Sequence, residues 1–166
     1  YGLVLGDRLV PTLVRPVSHL LIDPHGPLCP LGHRGCLTAY ATSGSMSAAV
    51  TQGHGRPVSC DEVLTLAEDG DPLARRVVDE AAHALGRAAA AITCLTGVDR
   101  IVLSGESVRL AEIGAEALDA GFVEYAPPGT GHPDPVVRPI DSGDWARGAA
   151  VVAIQEAFPE VHRRVA

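Results

Sequence analysis

The first apolar residues of this 166-residue chain fall into two short β-prone runs, 1–5 and 8–14. Gly6 and Asp7 separate these runs and tolerate positive φ, so the pattern predicts a β-hairpin. The next segment, 16–35, has little periodicity and contains four prolines, three glycines, three histidines and one cysteine. This segment is predicted to be an irregular loop.

A longer period follows, because apolar residues recur at every third or fourth position over 73–95. Such spacing places them on one face of a helix, which is predicted to be the longest in the chain. Asp71 and Pro72 are typical of an N-cap and a first helical residue, and Gly97 is typical of a helix end. Cys94 lies on this helix and is interpreted as a small buried apolar residue.

Weaker patterns predict shorter elements on both sides of the long helix. They are a helix at 36–42, a mobile loop or weak helix at 43–57, a capped helix at 59–68, strands at 100–104 and 136–140, and helices at 107–120 and 142–158. Ser107 is interpreted as an N-cap, and Gly121 as the residue beyond the end of the 107–120 helix. The order of elements indicates an α/β domain with a largely parallel second half.

Composition excludes several classes of protein. The chain is 46% hydrophobic with a net charge of −7, which suits one globular unit with a core. No apolar stretch approaches the roughly 18 residues of a membrane span, and no signal peptide is recognised, so we expect a cytoplasmic protein without membrane contact. All 13 basic residues are arginines, which excludes lysine Schiff bases and a P-loop lysine. The acidic balance argues against a large nucleic-acid footprint on this chain.

Two further features concern the origin of the chain. Tyr1 opens directly into strand-like residues, whereas an intact reading frame begins with Met, so we expect a fragment of a longer protein. Arginine as the only strong base, with abundant Ala, Val and Gly, suggests a high-GC bacterial source.

The irregular loop concentrates thiols and imidazoles. Cys29 and Cys36 bracket His33, and His19 and His25 precede them. Tetrahedral zinc prefers these ligands, and a Pro- and Gly-rich loop without its own core gains folding free energy from a metal. The pattern therefore predicts a structural Zn²⁺ site. A Cys29–Cys36 disulfide, which requires an oxidising compartment, and free thiols are the alternatives.

The stretches Pro16-Val17-Ser18-His19 and 29–41, which begins Cys29-Pro30-Leu31-Gly32-His33, resemble the signature of the ROK family of sugar kinases and sugar-responsive repressors. The resemblance implies an α/β, actin-like (ribonuclease H-like) ATPase fold with a mixed sheet and helices. It implies that 1–166 is the C-terminal lobe only, with a metal loop at 16–42, and that the N-terminal lobe and any DNA-binding domain lie outside the chain. It also implies a homodimer.

The resemblance implies zinc ligands at His19, Cys29 and Cys36. The family's middle cysteine is replaced by Leu31, which cannot coordinate a metal. His33 is therefore the candidate for the fourth ligand, because it follows two residues later in the same tight loop. His25 or a water molecule is the fallback.

The sugar and nucleotide positions of the family are also changed. Its two sugar-binding glutamates are replaced by Pro16 and Thr38, which removes charge-assisted hydrogen bonds of roughly 1.5–3 kcal/mol each. His19 and Thr38 remain as candidate sugar contacts. Gly105 remains from a nucleotide-binding glycine cluster, and Glu106 beside it adds a negative charge near any phosphate.

These departures favour the effector-sensing domain of a ROK-family transcriptional regulator over an enzyme. Such a domain binds a sugar-like small molecule, has no catalytic residue and contacts DNA only through an N-terminal domain outside the chain. The main alternative is the C-terminal half of an ATP-dependent sugar kinase. A third hypothesis is a zinc-stabilised structural domain without a ligand.

Overall fold

The computed structural model describes residues 2–5, 8–10, 17–105, 107–131 and 135–157 of the chain. Their elements are β1 (Leu3–Leu5), β2 (Arg8–Val10), α1 (Leu37–Ala41), α2 (Ser43–His54), α3 (Cys60–Glu68), α4 (Pro72–Thr96), β3 (Val102–Ser104), α5 (Arg109–Ile113), α6 (Ala115–Tyr125), β4 (Val136–Arg138) and α7 (Ser142–Ala157). This order confirms the predicted α/β arrangement. The predicted strand residues 11–14 and Phe158, the predicted end of the last helix, lie outside the described residues.

The strands form two separate pairs. β1 and β2 are antiparallel, with Leu3 opposite Val10, which confirms the hairpin. β3 and β4 are parallel, with Val102 opposite Val136, which confirms a parallel second half. The four described strands do not join into the single mixed sheet that we expected, because each has three residues and pairs along one edge only.

Helix α4 is the central element, and its ends follow the sequence. The Asp71 carboxylate accepts hydrogen bonds from the backbone N–H groups of Leu73 (3.1 Å) and Ala74 (2.8 Å). Gly97 adopts the left-handed conformation with φ of 68° directly after the last turn. Both predicted ends are confirmed, because a carboxylate satisfies the free N–H groups and a glycine adopts positive φ at little cost.

Helices α4 and α6 approach so closely that glycines are required between them. A Cβ atom at Gly86 would overlap the carbonyl oxygen of Leu118, and one at Gly121 would overlap the carbonyl oxygen of His83. The prediction that Gly121 follows the end of its helix is wrong, because this residue is buried inside α6. Its contact with α4 outweighs the low helix propensity of glycine.

The main core lies where α2, α3 and α4 meet, and Met46, Val50, Leu64 and Val78 are completely buried there. Of the two possibilities left open for 43–57, the structure has a helix. The Thr42 hydroxyl caps this helix by accepting from the backbone N–H of Ser45. Met46 and Val50, four residues apart, then bury one face of the helix in the core.

Two smaller predictions are wrong. Cys94 is exposed, because the last turns of α4 extend beyond the core and leave Leu95 84% exposed as well. Ser107 does not cap a helix, because Val108 occupies the N-cap position of α5. The Ser107 hydroxyl instead lies 2.7 Å from the Ser43 hydroxyl, in contact across the fold.

A bilayer-crossing helix is absent from the part of the chain that the structure describes, since no helix there has both the length and the hydropathy for it.

Candidate metal centre and neighbouring cavity

In the metal loop, predicted at 16–42 and described over 17–42, the backbone brings distant segments together. The backbone N–H groups of Ile22 and Asp23 both donate to the carbonyl of Gly35, at 2.8 and 3.0 Å. A β-bridge between Leu21 and Cys36 continues this contact. The side chain of His19 is thereby placed beside Cys36, although 17 residues separate the two in sequence.

A tight turn places the second pair of donors. The N–H of Cys29 donates to the carbonyl of His33, and the N–H of Gly32 donates to the carbonyl of Cys29, both at 2.8 Å. Gly32 has a φ of 80°, which favours glycine at this corner. The turn therefore holds Cys29 and His33 close together.

Gly35 is the second position in the loop where the backbone requires glycine. Its φ is 62°, and a Cβ atom there would overlap the carbonyl oxygen of Asp23. Because its own carbonyl accepts from two N–H groups across the loop, Gly35 fixes the crossing point of the two chain segments.

Four donor atoms converge inside the loop. The Nδ1 atom of His19 lies 3.4 Å from Cys36 Sγ and 3.9 Å from Cys29 Sγ. The Nδ1 atom of His33 lies 3.1 Å from the same nitrogen of His19. All four donor atoms lie within 4.8 Å of one another. The structure thus brings together the four residues that the sequence proposed as ligands.

The three distances from His19 Nδ1 are close to those of a tetrahedral zinc site. With Zn–N bonds of about 2.05 Å and Zn–S bonds of about 2.3 Å, neighbouring ligands lie about 3.3 Å apart for two nitrogens and about 3.6 Å for nitrogen and sulfur. The three distances from His19 Nδ1 differ from these values by no more than about 0.3 Å. His25 is not part of this group, and Cys29 and Cys36 are free thiols.

The centre is covered on its sulfur side. Cys36 is 1% exposed and Cys29 is 5% exposed, whereas His33 is exposed to solvent. Burial raises the pKa of the Cys29 thiol, but hydrogen bonds from the backbone N–H groups of Leu31 and His33 and from the Cys36 side chain lower the pKa overall. A lowered pKa favours the thiolate, which is the form of cysteine that binds metals.

The structure also describes two of the three metal- and sugar-binding positions at which the family pattern is changed. Leu31 is 69% exposed and supplies no donor. The Thr38 hydroxyl donates a 2.7 Å hydrogen bond to the carbonyl oxygen of Ser18, so its hydrogen is already engaged within the protein. Pro16 lies outside the described residues.

Gly105 lies at a cavity of about 490 Å³ next to the end of β3. Its φ of 144° is a conformation that favours glycine. Ser43 at the start of α2, Ser107 before α5 and the side chain of Trp145 on α7 complete much of the wall. Among the described residues that line this cavity, none carries a charge. Glu106 lies outside the described residues.

Sequence reasoning did not connect Ser43 with this cavity. Trp145, near the other end of the sequence, is 66% exposed. The available signal was the run of small polar residues at 42–45, which is typical of a helix start facing a cleft. The other residues that line the cavity come from distant parts of the sequence, so the pattern at 42–45 alone did not connect them.

The helical body, the small parallel sheet and the metal loop together define half of an actin-like ATPase fold. The family model described as the ROK family matches residues 15–156, and the chain belongs to this family. An N-acetylmannosamine kinase of Escherichia coli is 34% identical over 158 residues, which cover 93% of this chain and 53% of that kinase.

Two solved structures show the same fold. A ROK hexokinase from Thermus thermophilus superposes with a TM-score of 0.70 at 30% identity, over 87% of this chain and 49% of that one. A ROK-family transcriptional regulator, a homologue of the E. coli MLC protein, superposes with a TM-score of 0.69 at 27% identity, over 83% of this chain and 38% of that one. The chain therefore spans about half the length of these relatives or less.

Proposed function

We propose that the chain is the effector-sensing part of a ROK-family transcriptional regulator and that it does not support phosphoryl transfer. On this proposal residues 1–166 form the C-terminal lobe of a larger, dimeric protein, and DNA is contacted by a domain outside the chain. The observation that supports it most is the uncharged lining of the cavity at Gly105.

Phosphoryl transfer depends on electrostatic stabilisation of the phosphates by cationic side chains and metal ions. The described lining of the Gly105 cavity offers hydroxyl groups from Ser43, Ser104 and Ser107, together with apolar side chains. Hydroxyl groups can bind a neutral ligand, but they do not balance the charge of a triphosphate. Such a lining suits a protein that senses a small molecule without transforming it.

The sugar contacts that we propose are His19 and Thr38. Because the Thr38 hydroxyl already donates to Ser18, it can only accept a hydrogen bond from a ligand. An acidic residue at the same position would accept through a charge and bind more strongly. We therefore expect weak binding of a sugar-type effector, which suits a sensor of metabolite concentration.

His19, Cys29, His33 and Cys36 are the residues that would hold a zinc ion. A zinc ion would supply structural stabilisation here, because four protein ligands leave no open position for a substrate. The chain's own contribution is to hold His19, a proposed sugar contact, against the Cys29–His33 turn. The shape of the effector site and the order of the loop are therefore linked.

The second candidate function is the C-terminal half of an ATP-dependent sugar kinase. The identity of 34% with an N-acetylmannosamine kinase favours it, as does the 30% identity with the Thermus thermophilus hexokinase. On this hypothesis the phosphate-binding charges and the catalytic base are supplied by polypeptide outside the chain.

The two functions differ in a direct assay of the natural protein that carries this chain. With ATP, Mg²⁺ and either N-acetylmannosamine or glucose, we expect no ADP release above background, and we expect DNA bound by the protein to be released on adding an effector sugar. Turnover at the 1–100 s⁻¹ typical of kinases would contradict the regulator. Absence of ADP release, of DNA binding and of any sugar binding would favour the purely structural hypothesis.

A further inference from the structure

Thr38 connects the helix after the metal loop to the residue before a metal ligand. It lies in the first turn of α1, two positions after Cys36. Its Oγ1 donates a 2.7 Å hydrogen bond to the carbonyl oxygen of Ser18, which is 20 residues earlier and directly precedes His19. The bond is therefore a long-range connection within the loop and not a local helix contact.

A second hydrogen bond holds the other neighbour of His19. The backbone N–H of Leu37 donates to the carbonyl oxygen of Leu20 at 2.9 Å. The backbone of His19 is thus attached to α1 on both sides, through Ser18 to Thr38 and through Leu20 to Leu37. Loss of the Thr38 hydroxyl would remove the hydrogen bond that α1 makes to the Ser18 carbonyl.

The side chain of His19 lies close to all three of the other donors. Its Nδ1 atom lies within 3.9 Å of the donor atoms of Cys29, His33 and Cys36. A small rotation of the His19 backbone therefore changes three ligand-to-ligand distances together. A rigid attachment at this residue therefore bears directly on the donor geometry.

We infer that Thr38 is a positioning residue for the metal centre: its hydroxyl fixes the backbone that orients His19. The inference rests on the metal site of the proposed function and adds to it a residue that donates nothing to the metal. Hydrogen-bond partners of metal ligands typically change metal affinity by roughly 10- to 100-fold when they are removed. Because the Thr38 bond is made to a neighbouring carbonyl, we expect a loss of about 10-fold.

The test compares the wild type and variants of the natural protein that carries this chain. Zinc affinity is measured by competition with a chromophoric chelator, and ligand geometry by the visible absorption of the Co²⁺-loaded protein. Thr38→Val removes the hydroxyl with little change of shape. We expect it to bind zinc about 10-fold more weakly, with an altered Co²⁺ spectrum. Thr38→Ser keeps the hydroxyl and should have the zinc affinity and the Co²⁺ spectrum of the wild type.

Thr65→Val is the matched control. The Thr65 hydroxyl also donates to a backbone carbonyl, that of Asp61 at 3.0 Å, but it lies on α3 outside the loop. This variant should keep the zinc affinity and the Co²⁺ spectrum of the wild type. If Thr38→Val does not fold, Thr38→Ala carries the same prediction, since alanine is favourable in helices.

The outcomes separate this inference from the metal site itself. If the wild type binds no zinc, the proposed metal centre is wrong, and the role of Thr38 falls with it. If the wild type binds zinc and Thr38→Val binds it equally well with an unchanged Co²⁺ spectrum, only the positioning role is wrong. A lower melting temperature of metal-free Thr38→Val without a change in the Co²⁺ spectrum would indicate a merely structural role and would also overturn the inference.

Discussion

His33 is the proposed replacement for a metal ligand that the ROK pattern has and this chain lacks. The family's middle cysteine is Leu31 here, and its side chain is 69% exposed. His33 approaches from the other end of the same turn, with Nδ1 3.1 Å from His19 Nδ1. Two thiolates and two imidazoles around Zn²⁺ give a neutral centre, whereas three thiolates give a negative one. With zinc bound, the substitution would therefore change the charge of the loop beside the proposed effector site.

The first prediction concerns this ligand. Removing a hydrogen-bond partner of a metal ligand typically weakens metal binding by roughly 10- to 100-fold. We expect His33→Ala to weaken zinc binding by more than this, because the variant loses a direct ligand. Adding Leu31→Cys to this variant should recover binding by supplying a third thiolate. Zinc content after gel filtration, measured by atomic absorption, gives the result.

His25→Ala is the control for this prediction. His25 belongs to the same loop but not to the group of four donors, so this variant should keep its zinc. Full zinc retention by His33→Ala would exclude His33 as a ligand. Loss of zinc from both variants would show that the loop is sensitive to any substitution, which would equally contradict the assignment.

At the scale of elements, the contact between α4 and α6 fixes the helical body. We expect Gly121→Ala to lower the free energy of unfolding by about 1–3 kcal/mol, because the added Cβ overlaps the His83 carbonyl and forces the helices apart. Gly148→Ala on α7 is the matched control, since a Cβ there meets no atom within 4 Å. Urea unfolding followed by circular dichroism measures both changes.

For Gly148→Ala we expect no loss, because alanine is favoured over glycine in an exposed helix by up to about 1 kcal/mol. If Gly121→Ala were as stable as the wild type, the two helices would not be in the close contact that the structure shows. If both variants lost stability equally, the loss in Gly121→Ala could not be assigned to packing between the two helices.

The same contact shows why some elements could be predicted from the sequence and others could not. The ends of α4 depend on Asp71 and Gly97, which act on their own helix, and the sequence was sufficient for both. Gly121 also looked like a helix end, but its role depends on His83 in another helix. The prediction that Ser107 is an N-cap was wrong for the same reason, since the hydroxyl of Ser107 contacts Ser43 in another part of the chain. Local capping is visible in a sequence, whereas contacts between distant segments are not.

In the candidate site, too, local features could be predicted from the sequence and long-range contacts could not. The four metal-ligand positions could be proposed because a short loop confines them, and three of them match a family pattern. The hydrogen bond from Thr38 to Ser18 was not foreseen, because nothing in the sequence relates a hydroxyl to a carbonyl 20 residues away. The cavity at Gly105 was only partly foreseen, since Ser43 and Trp145 reach it from separate helices.

At the scale of the whole molecule, the metal loop is held by far fewer buried apolar residues than the helical body. The body is held by a large cluster that includes Met46, Leu64 and Val78. The loop contributes to two small clusters, one around the two cysteines and one in which Ile22 packs against Ala84 and Ala88 of α4. Stability is often divided in this way, so that a segment with few buried apolar contacts opens without global unfolding.

The last prediction follows from this division. We expect removal of the metal by a chelator to open the loop while the body stays folded, because the loop is held by few apolar contacts. In hydrogen exchange, the amides of Ile22, Asp23 and Gly35, which are hydrogen-bonded across the loop, should lose their protection. The amides of α4 should exchange at the same rate with and without metal. Equal loss of protection in α4 would show that the loop and the body unfold as one unit. Unchanged protection in the loop would show that its backbone hydrogen bonds hold it without a metal.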